Sequence, residues 1–531
     1  MTVWGERSAR PLRAGFGVVA IGVLVAIVTA LSLTFLRPAV VVLAFGGIIL
    51  LLPTFLMRDP KIYWLFLLVA SIPFDIHKSL TRWIMEPEEL LELYGPPTTG
   101  TISLDLYLTD AVLLAMVLPW LARLCLRQDR LYFPHVGYIF LLYLTWALIS
   151  SLIQAEALFM AMLEWFRHIL YFVFFLYLIN NIMTRAQLWA VVFALFVGMG
   201  IGSGSVIAFS TLNIGTDTSI FSALYGEHEL KSTLERIYRG NVMYTTLDDP
   251  SRLGPSASKR SEGIFSHPAI AAAFCGLTAP VALAFMLAAR RFRDAILSGA
   301  FVAAGCLASY LTYSRAGLVA LLLGCMVVFL AGRWSRLVSQ QRFAAGIFVF
   351  ALVAMVSVPL LVAFLELRPK SFSQRFDYLA ITIEAYTQQP ILGAGLNNGT
   401  IAVKEGAQKV ENGPNSSVQG TISSHYLVVL IEGGLVGFFL FFAFFGQIIM
   451  IAFRSMRTAE AETKVILAGV VGGLSSIAIQ NLADNVFAGH SISALLWLYS
   501  GLIIAIARRV QAERALPRPQ PAHGRGLRPA L

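Results

Sequence analysis

The chain has 531 residues, a net charge of +10, 57% hydrophobic residues and only 13% charged ones. Its mean hydropathy is +0.73. A soluble protein is about a quarter charged, so several soluble domains could not be covered. A soluble multidomain enzyme and a disordered chain are both excluded, and a polytopic membrane protein is predicted.

Apolar runs bounded by charges, prolines or polar clusters fall at 15–35, 39–57, 61–76, 105–126, 134–153, 157–182, 186–210, 268–289, 294–312, 315–332, 343–365, 425–452, 465–487 and 491–508. They predict an all-α protein with about 14 transmembrane helices, within a range of 12 to 14. The first run is a full span without a small-residue cleavage pattern behind it, so it reads as a span and not a removed signal. Residues 1–150 read as N-terminal spans with an outer loop at 77–104. Residues 151–510 read as the core, with outer loops at 211–267 and 366–424. The remainder, 511–531, reads as a disordered basic tail rich in Pro, Arg and Gly. Cys125, Cys275, Cys306 and Cys325 lie in or beside apolar runs and suggest neither a metal site nor a disulfide framework.

The positive charge is unevenly placed. With the N-terminus in the cytoplasm, the inner segments and tails carry 24 of the 40 lysines and arginines but 7 of the 30 acidic residues. Every short inner loop is basic, as in Arg290-Arg291-Phe292-Arg293, whereas the short outer loops 154–156 and 488–490 have no Lys or Arg. This pattern places both termini inside. It makes anionic lipid headgroups the expected partner of the basic surplus, and not nucleic acid.

The outer segments hold the candidates for chemistry. Loop 77–104 carries Glu86, Glu88, Glu89 and Glu92, then Pro96-Pro97 and Thr98–Thr101, and reads as a solvated cap. Near the end of loop 211–267, Arg260, or Lys259 beside it, places positive charge at the membrane edge, as a site residue or as a plain anchor of the span that Pro268 opens. At Thr312-Tyr313-Ser314-Arg315 two spans meet with almost no loop. Ser314 is expected to cap the second one and leave backbone N–H groups facing outward beside Arg315. An arginine near hydrocarbon depth is costly and usually has a task, although snorkelling at a span end is the plainer alternative. Loop 366–424 predicts an amphipathic helix from Arg375 to Gln389. A tight turn follows at Pro390, Gly393 and Gly395, and His425 stands where the chain re-enters the membrane. Glu164, Arg167 and His168 share one face of the sixth span, as a structural ion pair or as the lining of a lipid-substrate groove. The run Gln480–Asn485, with Asp484 in it, suits hydrogen bonding between helices or to sugar hydroxyls.

Over about residues 150–505 the chain resembles the O-antigen ligase and O-antigen polymerase superfamily of integral-membrane glycosyltransferases. The resemblance rests on four ordered elements: Arg260 through Pro268, Ser314-Arg315-Ala316-Gly317, Arg375 through Gly395, and Glu432-Gly433-Gly434-Leu435-Val436-Gly437. Two positions depart from the family pattern. Ala269 stands where Asn is usual after the proline. The family histidine, counted back from Tyr426-Leu427, falls on Ser423, while the histidine present is His425.

The resemblance implies a donor glycan on undecaprenyl diphosphate and a glycan or lipid-linked acceptor, joined on the periplasmic face of the bacterial inner membrane. It implies Arg260 and Arg315 as diphosphate ligands and His425 as the catalytic base. Arg375, Ser314, Arg167, Glu432 and Asp484 become substrate-binding candidates. No cofactor and no metal are expected, because no dense acidic constellation is visible. The acceptor, and with it polymerase against ligase, stays open. A lipid-linked glycan flippase or polysaccharide transporter would explain many spans equally well. The gathering of cationic motifs on one face favours chemistry.

Overall fold

The computed structural model describes residues 53–54, 56–57, 59–74, 77–79, 98, 105–212, 261–335, 340, 370–410, 422 and 424–515, with backbone alone for 77–79, 370–378, 405–410 and 515. The chain divides into a small unit, Met1–Trp64, and a large one, Leu65–Leu531. In the small unit the described residues lie around 53–59 and in the first turn of α1 (Pro60–Ser71), where Tyr63 and Trp64 meet edge to face. The expected spans at 15–35, 39–57 and 343–365 fall largely or wholly outside the described residues.

In the large unit, β1 (His77–Ser79) pairs antiparallel with β2 (Asp105–Tyr107), with His77 opposite Tyr107. This pair is the one departure from the all-α expectation among the described residues. The helices follow in order: α2 (Leu108–Cys125), α3 (His135–Gln154), α4 (Leu158–Asn181), α5 (Arg185–Thr211), α6 (Pro268–Ala288), α7 (Phe292–Leu311) and α8 (Arg315–Trp334). Then come α9 (Lys370–Gln388), α10 (Gly399–Val410), α11 (His425–Met456), α12 (Ala461–Gln480), a 3-10 turn (Val486–Ala488) and α13 (His490–Ala515). Ten of these are long and apolar enough to cross a membrane: α2 to α8 and α11 to α13. The expected span at 61–76 is a 12-residue helix, stopped by the Ser71-Ile72-Pro73 turn. The expected span at 465–487 is displaced to α12, whose helix ends where polar Gln480-Asn481 begins a turn.

Short connections make neighbouring helices antiparallel. The connections 155–157, 312–314 and 481–489 lie at one end of the bundle and contain no Lys or Arg. The connections 126–134, 289–291 and 457–460 lie at the opposite end, and each carries arginine. The charge asymmetry read from the sequence is therefore an asymmetry between two ends of the folded bundle.

The interior follows from which helices can surrender their polar groups. α13 is buried throughout its apolar stretch, whereas α7 is mostly exposed, as a lipid-facing helix would be. Phe140 (α3), Phe175 (α4), Phe444 (α11) and Trp497 (α13) meet in one aromatic cluster. Ring centroids are 4.6 Å apart for Phe140–Trp497 and 4.9 Å for Phe140–Phe444. These rings lock four helices together on the basic-end side of the candidate site. Ile381 and Ala385 of α9, one turn apart, pack with Val403 of α10 and with Val428 and Ile431 of α11. The amphipathic helix expected after Arg375 is thus present, and its apolar stripe lies on the start of α11.

Candidate functional site

The site begins with a break in a helix. α11 is continuous by length, but Gly434 sits at φ 61°, ψ −169° and kinks it. A Cβ there would collide with the Ile391 carbonyl, and only glycine tolerates that conformation at little cost. The kink exposes backbone groups that an unbroken helix would use internally, and the Pro390–Gly395 turn takes them. Ala394 N–H donates to Ile431 O at 2.8 Å, Gly395 N–H to Glu432 O at 3.0 Å, and Leu435 N–H to Pro390 O at 2.9 Å. α3 seals the joint: Trp146 Nε1 donates to Gly433 O at 2.8 Å, and Ser150 Oγ donates to Leu392 O at 2.7 Å. The two glycine-bearing motifs, 36 or more residues apart, are one structural unit.

That unit sets Glu432. Its side chain is 4% exposed. The Thr98 hydroxyl and the backbone amides of Asn397 and Gly399 face the carboxylate, while Oε1 has no hydrogen-bond partner among the described residues. Thr98 is buried, not solvated as the cap reading expected. Its hydroxyl accepts from Thr400 N–H at 3.0 Å, and its carbonyl accepts from Asn485 Nδ2 at 3.4 Å. Loop 77–104 therefore contributes a structural residue to the site.

His425 opens α11. Its backbone N–H donates to Asn481 O at 3.1 Å, as does the Ser424 hydroxyl at 2.9 Å, so the end of α12 anchors the start of α11. The imidazole Nδ1 lies 2.9 Å from Asn485 Oδ1. A carbonyl oxygen only accepts, so Nδ1 carries the proton and the Nε2 lone pair is left available. Phe487 holds the ring edge to face, with centroids 4.7 Å apart. Nε2 is buried and has no hydrogen-bond partner among the described residues.

Across from His425, α4 presents Glu164, Arg167 and His168 on one face, as their spacing predicted. His168 Nδ1 donates to the Glu164 carbonyl at 2.9 Å, with the Glu164 carboxylate 3.6 Å away. Glu164, Arg167, His168, His425, Glu432 and Tyr171 all border one cavity of about 50 Å³. That is room for a few waters but not for a sugar, so a glycan would have to displace part of the lining. Aromatic side chains of α11, α13 and the 3-10 turn complete its wall.

The other expected site residues fall as follows. Ser314 caps α8, accepting from Gly317 N–H at 3.2 Å, as the sequence predicted. The turn before it is held by Tyr313 at φ 53°, a strained conformation for a bulky residue. Arg315 is the first residue of α8 and does not border the cavity. Nor does Asp484, which lies in the turn after α12, its N–H bonded to Gln480 O. Arg260 and Ser423 lie outside the described residues, and Arg375 is placed by its backbone alone, on α9. Ser261, next to Arg260, donates to Leu311 O at 3.2 Å, so the two arginine-bearing motifs adjoin through their backbones. Gln480, against α6 and the first turn of α8, lies beside Asn481, which anchors His425. These segments thus converge on the end of the bundle whose short connections contain no Lys or Arg.

Sequence reasoning missed Thr98 as a site residue, Asn485 as the orienter of His425, and Tyr107, Asp110, Tyr171 and His490. Of these, Asp110 and His490 had a legible signal, since ionisable residues at span ends are expensive and seldom idle.

A polytopic helical bundle with a histidine, an arginine and a carboxylate at one buried cavity defines the class: a multi-span helical membrane protein. Residues 299–442 match the family described as O-Antigen ligase. That match supports the resemblance of this segment to the O-antigen ligase and polymerase superfamily. The matched segment includes Arg315, His425 and Glu432, whereas Arg167, Asp484 and Asn485 lie outside it. No curated protein matches the chain.

Proposed function

We propose that the protein is a membrane glycosyltransferase that moves a glycan from undecaprenyl diphosphate to an acceptor hydroxyl. The observation carrying this reading is His425, with Nδ1 committed to Asn485 and a buried Nε2 at a cavity shared with Arg167 and Glu432. In this reading Nε2 takes the proton of the acceptor hydroxyl. The acceptor oxygen bonds to the anomeric carbon from the side opposite the diphosphate. The bond from that carbon to the diphosphate oxygen breaks, its electron pair leaves with the lipid diphosphate, and the configuration inverts.

The leaving group gains negative charge, so preorganised cations supply the largest part of the rate enhancement. Arg167 is the cation at the cavity. Arg315, with the N–H groups at the start of α8, is the second, and Arg260 joins it from the adjoining segment. Arg375 is a further diphosphate ligand on α9. Glu432, through its unpartnered Oε1, and Asp484 bind hydroxyls of the glycan. No metal and no cofactor enter these steps. In this reading the reaction runs on the periplasmic face of the bacterial inner membrane, which the arginines in short connections at the other end of the bundle support. For the acceptor we favour a second lipid-linked repeat unit, making the protein an O-antigen or exopolysaccharide polymerase. The chain is longer than the usual ligase pattern, and its histidine stands two residues beyond the family position.

Purified protein in liposomes, given undecaprenyl-diphosphate-linked oligosaccharide and a chelator, is expected to release undecaprenyl diphosphate and lengthen the glycan. Transbilayer movement of the lipid without such release would replace this reading by a flippase. Arg315→Lys is expected to lose most activity while accumulating normally. His425→Ala is expected to lose at least about a hundredfold, the usual weight of a general base, and Ser423→Ala to stay active. The reverse result would move the base to position 423.

A further inference from the structure

Behind the α4 wall of the cavity lies a second polar cluster that the reaction above does not use. His490, the first residue of α13, is 4% exposed and does not border the cavity. Three groups surround its ring. Tyr107 lies flat on it, with centroids 3.8 Å apart and planes 2° from parallel. The Tyr171 hydroxyl is 3.0 Å from Nδ1, and Asp110 Oδ1 is 3.9 Å from Nε2. With the proton on the nitrogen that faces the carboxylate, Nδ1 accepts from Tyr171. Tyr107 is in turn placed by β2 and by its own N–H, which donates to Asp110 Oδ2 at 3.2 Å. The ring of Tyr107 supports the Arg167 guanidinium, whose Cζ stands 5.8 Å from its centroid. Tyr171 is one turn from Arg167 on α4, and the carboxylates of Glu164 and Asp105 also face this arginine.

We propose that His490 is a positioning residue for Arg167, acting through the ring of Tyr107. A flexible arginine reaches many rotamers, and a stacked ring beneath it removes most of them. An aromatic ring that is itself free to rotate gives no such support. The imidazole of His490 stops that rotation, because its own ring is held at Nδ1 by the Tyr171 hydroxyl. Stacking is what reaches Arg167, so an aromatic substitute preserves the effect and an aliphatic one of similar bulk does not. The consequence for ligand binding rests on the reading of the cavity as the donor diphosphate site; the geometric consequence for Arg167 does not.

The test uses the full-length protein in detergent or nanodiscs, with two readouts. The first is the rate at which phenylglyoxal modifies Arg167, followed by mass spectrometry. The second is the affinity for undecaprenyl diphosphate. His490→Leu is expected to raise the modification rate severalfold and to weaken binding about tenfold, while His490→Phe stays within about twofold of the parent in both. Tyr107→Leu and Tyr107→Phe are expected to repeat the pattern, and they decide the matter if a His490 variant fails to accumulate. Unchanged Arg167 reactivity in His490→Leu, or equal disturbance by Phe and Leu, overturns the proposal. If the parent binds no undecaprenyl diphosphate but the labelling pattern holds, the positioning role stands and the donor reading falls.

Discussion

His425 Nδ1 lies 2.9 Å from Asn485 Oδ1, across a 60-residue separation that brings the first residue of α11 against the turn after α12. This bond selects the tautomer of a half-buried imidazole and points its lone pair at the cavity. Asn485→Ala removes the orienter and leaves the base in place. It is expected to lower the rate of lipid diphosphate release by about 10- to 100-fold, the range typical of groups that orient a functional histidine. Membrane accumulation should be unchanged. A rate within twofold of the parent would detach Asn485 from catalysis.

Gly434 tests the kink. Any Cβ there meets the Ile391 carbonyl and faces a positive φ. Gly434→Ala is expected to cost about 3 kcal/mol or more, since strain and lost backbone pairing with Pro390–Gly395 add together. Thermal unfolding of the purified variant should show a clearly lowered midpoint, and little protein should reach the membrane. Gly446 is the control: it sits in the same helix with open space around its Cα, and Gly446→Ala should be neutral or slightly stabilising.

Thr98 ties three parts of the site through one small side chain and its carbonyl. Thr98→Val keeps the shape but removes the hydroxyl, leaving the Thr400 N–H and the Glu432 carboxylate without that partner. A cost of about 1–3 kcal/mol is expected from the unsatisfied groups, with reduced glycan transfer. Thr98→Ser restores the hydroxyl and should recover most of both. Equal behaviour of Val and Ser would make Thr98 a space-filler.

Trp497 tests the aromatic cluster. It is 3% exposed, and its ring meets Phe140, Phe175, Phe444 and Phe445. Trp497→Ala is expected to destabilise by about 3–5 kcal/mol, measured as a loss of thermal stability in detergent. Trp497→Phe retains a ring and should lose much less.

Much of this was written in the order of residues. Low charge and long apolar runs settled a helical membrane bundle, because hydrocarbon admits only backbones that satisfy themselves. Alternating basic and non-basic connections told one end from the other, and Ser314 as a cap and Glu164, Arg167 and His168 as one face followed from local spacing. Local rules fail where backbone groups pair at long range. Nothing near Gly434 says that Pro390–Gly395 will claim the groups freed by its kink, and nothing near Thr98 says that a threonine in an acidic loop will be buried against Glu432. The same holds for His490, which meets Tyr107 and Tyr171 only because α2, α4 and α13 converge. The arginines at 315 and 167, alike as cations in or near spans, part company in three dimensions: one opens a helix, the other borders the cavity. Composition and charge sufficed to determine the solvent, the helical class and the difference in charge between the two ends of the bundle. Only packing could decide which polar residues share a cavity, since that depends on which helices touch.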